Sequence, residues 1–127
     1  MEMRKPQRWF SVAAAVGVAA VVVAPVAGAH TALIASEPAA GAVLSAAPAS
    51  VSATFDEAPE AAFAALTLSG PGGVPVSTGA TVVSGSQLTV AVPSTVPAGT
   101  HTASYRLMAA DGHVVTGSWS FTVAPPG

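Results

Sequence analysis

The sequence predicts an all-β domain, an antiparallel sandwich of about seven short strands preceded by a cleaved signal peptide. Three observations carry that prediction. An apolar run near the start ends in small residues, and the composition changes directly after it. Beyond that point apolar and polar residues alternate in short runs, the period of a half-buried strand. Clusters of Gly, Pro and Ser separate those runs about every 8–12 residues, with no convincing helix between them.

The leader occupies residues 1–29. Arg4, Lys5 and Arg8 form a basic start, Phe10 to Ala24 is apolar apart from Ser11 and Gly17, and Pro25 breaks the run. Ala27-Gly28-Ala29 fits the small-x-small rule for signal-peptidase cleavage. A retained membrane anchor is the alternative, but a spanning helix takes roughly 20 apolar residues and this run is shorter. No Cys stands near position 30 to carry a lipid, and no Arg-Arg pair marks the twin-arginine route. Cleavage after Ala29 leaves a domain over 30–124 and a tail at 125–127. Its expected place is beyond the cytoplasmic membrane, in the periplasm, the cell envelope or outside the cell.

The charge balance shifts with the leader. Of the four basic residues only Arg106 lies beyond it, against Glu37, Asp56, Glu57, Glu60 and Asp111, a formal charge of −4. Such a domain does not suit nucleic acid. Anionic lipid would repel it, whereas a cation would not be repelled. There is no cysteine. An exported domain of this size must then hold on packing and sheet hydrogen bonds alone, and any metal meets nitrogen, oxygen or the thioether of Met108.

His30 to Ser36 alternates as a first strand, with Thr31, Leu33 and Ala35 on one face and Ala32 and Ile34 on the other. Glu37-Pro38-Ala39-Ala40-Gly41 is a turn or loop, and an Ala-rich connection leads past Pro48. Val51, Ala53 and Phe55 alternate with Ser52 and Thr54 as a half-buried strand that enters the acidic corner Asp56-Glu57-Ala58-Pro59-Glu60. Phe63 to Leu68 is short and is closed by Gly70-Pro71-Gly72-Gly73, so it reads as a strand. Val74-Pro75-Val76 is a weak edge candidate. Thr81-Val82-Val83 and Leu88 to Val92 flank Ser84-Gly85-Ser86, a hairpin signal. After Pro97-Ala98-Gly99 come two long alternating runs. His101, Ala103, Tyr105, Leu107 and Ala109 share a face of one; Val115, Gly117, Trp119, Phe121 and Val123 share a face of the other. Phe55, Tyr105, Leu107, Trp119 and Phe121 are the expected large core residues. The pattern suits an immunoglobulin-like or cupredoxin-like sandwich.

Two stretches carry chemistry. Asp111 and His113 are two apart, so in an extended strand their side chains point the same way and one metal ion can meet both. Alone the pair is a weak signal, and its plain reading is an Asp-Gly turn before the first residue of a strand. His30, placed at a free N-terminus by cleavage after Ala29, offers its α-amine and its imidazole Nδ1. Together the donors are an amine, two imidazoles and a carboxylate. That set suits Cu(II), which favours tetragonal nitrogen and oxygen sites, and binding should weaken in acid because the ligands must be deprotonated. The sulfur that Cu(I) prefers is missing, apart from Met108 in a strand pattern where packing is its default role.

The chain resembles the CopC copper-resistance domain family, small extracytoplasmic copper-binding β-sandwiches. The resemblance runs from His30 through Ser36-Glu37-Pro38-Ala39-Ala40-Gly41 and Ala53-Thr54-Phe55-Asp56-Glu57 to Pro97-Ala98-Gly99-Thr100. It ends in Ala110-Asp111-Gly112-His113-Val114-Val115-Thr116-Gly117 and Phe121-Thr122-Val123, where Asp-Gly-His is its most specific element. The resemblance implies Cu(II) ligands at His30, Asp111 and His113. It also implies a role for Glu57, as a nearby hydrogen-bond acceptor for the amine or an imidazole; the plain reading of Glu57 is a solvated loop acid. It further implies copper resistance, sequestration or delivery without enzymatic turnover, a membrane copper transporter of the CopD type as partner, and a monomer. Two departures matter. The methionine-rich loop of Cu(I)-binding members is missing, and His101 stands where the family usually has Tyr. His101 reads as a structural substitution on a core-directed face. Two other functions compete: a small copper-dependent oxidase or oxygenase with an N-terminal histidine brace, and a metal-free adhesion or scaffold sandwich. A carboxylate in a ligand position and the scarcity of exposed aromatics weigh against the oxidase.

Overall fold

The computed structural model describes residues 31–126. The predicted leader and His30 lie outside the described residues. Eight strands follow in order: β1 (Leu33–Glu37), β2 (Val43–Leu44), β3 (Ser50–Phe55), β4 (Ala65–Ser69), β5 (Val82–Ser84), β6 (Gln87–Ala91), β7 (Gly99–Met108) and β8 (Val114–Val123). They form two four-stranded sheets, β1-β3-β6-β5 and β2-β8-β7-β4. Among the described residues no helix is long and apolar enough to cross a membrane.

The two-residue period decides what faces inward. On β7, His101, Ala103 and Leu107 are buried, and on β8 Trp119, Phe121 and Val123, as the alternation predicts. Val51, Ala53 and Phe55 on β3 and Leu88 and Val90 on β6 meet them from the other sheet. Burying a Phe or Leu side chain stabilises by about 1.5–3 kcal/mol over leaving it exposed, and this packing holds a domain without disulfides. Trp119 keeps its polar edge satisfied: its indole N–H donates to Pro38 O at 2.9 Å. Tyr105 is half-buried, its ring edge-on to Phe55 with centroids 5.0 Å apart. That ring lies over Gly117, where a Cβ would stand 2.5 Å from Tyr105 Cζ, so no larger residue fits without displacing it.

Four details differ from the pattern read in the sequence. The Ala-rich connection contains β2, which pairs with β8 in parallel, so the second sheet is mixed while every other strand pair is antiparallel. In β1 the register slips between Leu33 and Ala35, leaving Ile34 as a bulge that is 63% exposed. The extra residue changes the phase, so Ser36 rather than Ala35 shares the Leu33 face, opposite Ala53. Phe63 ends a 3-10 turn (Ala61–Phe63) and is 60% exposed; the strand begins only at Ala65. Val74-Pro75-Val76 forms a single bridge, Ser69 to Pro75, in place of a strand, and Pro75 has no N–H to extend it.

Strand direction gathers several ends at one rim. β1, β4 and β8 start there, and β3, β5 and β7 finish there, because Leu33 pairs with Phe55, Thr54 with Gln87, Ala65 with Arg106 and Met108 with Val114.

Candidate metal centre

The β7–β8 connection builds the site. Ala109 N–H donates to His113 O at 2.8 Å, and Gly112 N–H donates to Ala109 O at 2.9 Å. Gly112 has φ +90°, the left-handed conformation that follows a tight turn in a three-residue hairpin loop. This Asp-Gly turn replaces the extended backbone that the spacing of Asp111 and His113 suggests. The two side chains still meet, because the turn brings Asp111 back over the next strand. Asp111 Oδ1 accepts the backbone N–H of His113 at 3.0 Å, and Oδ2 lies 2.9 Å from His113 Nδ1. The His113 side chain is 69% exposed and that of Asp111 42%, so the pair is open at the rim.

That separation fits a shared divalent ion. Two donors about 2.0–2.1 Å from one ion, at the right angle of a tetragonal site, stand about 2.9 Å apart. An ion held by both atoms would lie off the line joining Nδ1 to Oδ2, so the exposed imidazole would turn toward it as its proton leaves. Among the described residues no three His, Cys, Asp or Glu side chains converge as a metal site. The third predicted ligand, His30, lies outside the described residues.

The chain directly after His30 is well fastened. Thr31 is buried. Ala32 N–H donates to Asp56 Oδ1 at 2.8 Å, and Asp56 N–H donates to Ala32 O at 2.9 Å. Sequence reasoning placed Asp56 in an acidic corner but missed this clamp; only the pairing of β1 with the end of β3 reveals it. β1 and β8 both start at the rim, Leu33 opposite Phe55 and Val114 opposite Met108. Glu57 is exposed beside Asp56 in the same corner.

His101 is elsewhere. It is 1% exposed, stacked on Phe121 with ring centroids 5.6 Å apart, and its Nδ1 lies 3.1 Å from Gly99 O. A carbonyl oxygen only accepts, so Nδ1–H is the donor in that contact. It sits seven positions before the end of β7, about 24 Å from the rim along the strand, too far to share an ion with His113. The core-directed reading of His101 holds. An apolar cleft of about 410 Å³, lined by Gly70, Pro71, Val74, Val76, Val96 and Pro97, also lies at that opposite end. The Asp111–His113 pair is thus an open rim site.

Fold and site together define a small two-sheet sandwich bearing a carboxylate–imidazole pair on a hairpin at one end. The CopC domain model matches residues 33–124, and the chain belongs to the CopC family. Its structure is similar to that of CopC from Methylosinus trichosporium OB3b, with 26% identity and a TM-score of 0.70 over 76% of this chain and 95% of that one. It is also similar to PcoC, a methionine-rich copper resistance protein from Escherichia coli, with 28% identity and a TM-score of 0.66 over 74% and 98% of the two chains. A selenomethionine form of PcoC gives 30% identity and a TM-score of 0.61. No curated protein sequence matches the chain.

Proposed function

We propose that the chain, cut after Ala29, binds one Cu(II) ion at this rim and serves copper resistance, sequestration or delivery beyond the cytoplasmic membrane. The ligands are the His30 α-amine and Nδ1, the His113 imidazole and the Asp111 carboxylate. Copper is cargo here, with no turnover. The 2.9 Å pairing of Asp111 Oδ2 with His113 Nδ1 carries the reading, because it presents two donors at the spacing of neighbouring ligands on one ion. The burial of Thr31 and the Ala32–Asp56 clamp support it, since they hold the residues after His30 at the rim. Beyond the leader Met108 is the only methionine, which favours Cu(II) over Cu(I). The proposed partner is a membrane copper transporter of the CopD type, and the proposed state is a monomer.

Isothermal titration and native mass spectrometry of the secreted protein should show one Cu(II) per chain. A chain that stays copper-free would return it to the adhesion or scaffold class. Sustained turnover of ascorbate and peroxide by the copper form would favour the oxidase instead.

Glu57 takes the role of an acceptor that orients the amine or an imidazole. Glu57→Gln should weaken copper binding about 10–100-fold without abolishing it. An unchanged affinity would leave Glu57 a solvated acid.

A further inference from the structure

The rim bears an apolar row that the metal site does not use. Val114 directly follows His113 and is 50% exposed. It pairs with Met108, and both alternate with inward neighbours Val115 and Leu107, so they stand on the outer face of the second sheet. On the other side of Met108, Glu60 N–H donates to Met108 O at 2.9 Å, which brings the 3-10 turn ending in Phe63 against the end of β7. Single exposed apolar residues need no explanation. Here Val114 pairs with Met108, the turn that carries the exposed Phe63 is tied to Met108 by that bond, and this row leads into the hairpin of Asp111 and His113.

The charges around the row are mainly negative, with one exception on its own face: Arg106 points outward two positions before Met108. Asp56, Glu57, Glu60 and Asp111 all belong to the rim, while Glu37 ends β1 away from it; among the described residues Arg106 is the only Lys or Arg. Nucleic acid and anionic lipid would meet carboxylates. A second copy of the chain would bring the same acidic rim against itself. A cationic protein surface is attracted from a distance, and its apolar centre can settle on the row.

We infer that the Val114–Met108–Phe63 row is a docking surface for a protein whose contact face is apolar at its centre and basic at its edge, placed so that this partner exchanges copper with the adjacent site. The exchange rests on the proposed Cu(II) reading; the surface does not, and it is tested without metal.

Three synthetic peptides of equal length serve as probes: one of alternating Lys and Leu, one with Ser replacing each Leu, one with Glu replacing each Lys. They are titrated at low salt into the copper-free secreted protein and followed by amide NMR. The Lys–Leu peptide should shift residues 57–63 and 108–116 and bind about tenfold tighter than either control. Phe63→Ser combined with Val114→Ser should remove most of that advantage while leaving Cu(II) affinity unchanged and lowering thermal stability only modestly, because the side chains are 60% and 50% exposed. Equal binding of the Lys–Leu and Lys–Ser peptides would overturn the inference, as would a shift pattern at the opposite end or no effect of the double variant. Concentration-dependent dimerisation abolished by Phe63→Ser would overturn it in favour of a self-interface. A failed copper titration alongside the expected peptide pattern would remove the copper reading alone.

Discussion

One additional residue before His30 is expected to lower Cu(II) affinity by about two orders of magnitude or more, because a basic amine becomes an amide that must lose a proton before it can ligate. The change leaves the imidazole in place but removes its chelating partner on the same residue. It is also chemically clean. The two hydrogen bonds between Ala32 and Asp56 do not involve residue 30 and should persist in either form. The fold should therefore be the same, which circular dichroism verifies, and the affinity difference reports the amine alone. Competition with a coloured chelator measures it. Equal affinities for the two forms would refute the amine-plus-imidazole chelate.

His113→Ala should cost a similar number of decades. It deletes the imidazole that faces Asp111 and so removes one of the two donors that the hairpin brings together. The turn itself should survive. It is closed by the backbone bonds from Ala109 N–H to His113 O and from Gly112 N–H to Ala109 O, and Asp111 Oδ1 still has the residue-113 N–H to accept. With the side chain 69% exposed, its removal opens no core cavity, so the melting temperature should barely move. Unchanged copper affinity in a folded His113→Ala protein would place the metal away from this hairpin.

The difference between these two residues and His101 shows what a histidine's position in an alternating run conveys. His101 shares its face with Ala103 and Leu107, so its burial follows from period two alone, and the structure stacks it on Phe121. His113 stands at the start of its run, where periodicity says nothing about side-chain partners. Its approach to Asp111 was legible as spacing, yet the conformation responsible is the positive φ of Gly112 rather than an extended strand.

By itself the sequence determined the sandwich, because one face of each long strand must leave water, and Val51, Ala53 and Phe55 or Trp119, Phe121 and Val123 can do so only at every second position. It also determined the hairpin turns, since Gly85 and Gly112 adopt backbone angles that other residues avoid. Tertiary structure decided what depends on a distant neighbour. Two residues at Val43–Leu44 carry no period, and they become a strand only because the edge of β8 is there to pair with them. The bulge at Ile34 arises from the register that β3 imposes on β1. Asp56 lies 24 positions from Ala32, and their double hydrogen bond exists because β1 begins its pairing beside Phe55. Local alternation states which face is apolar, whereas pairing between remote segments sets which polar groups come within hydrogen-bond reach, and the residues after His30 are held at the rim by the second of these.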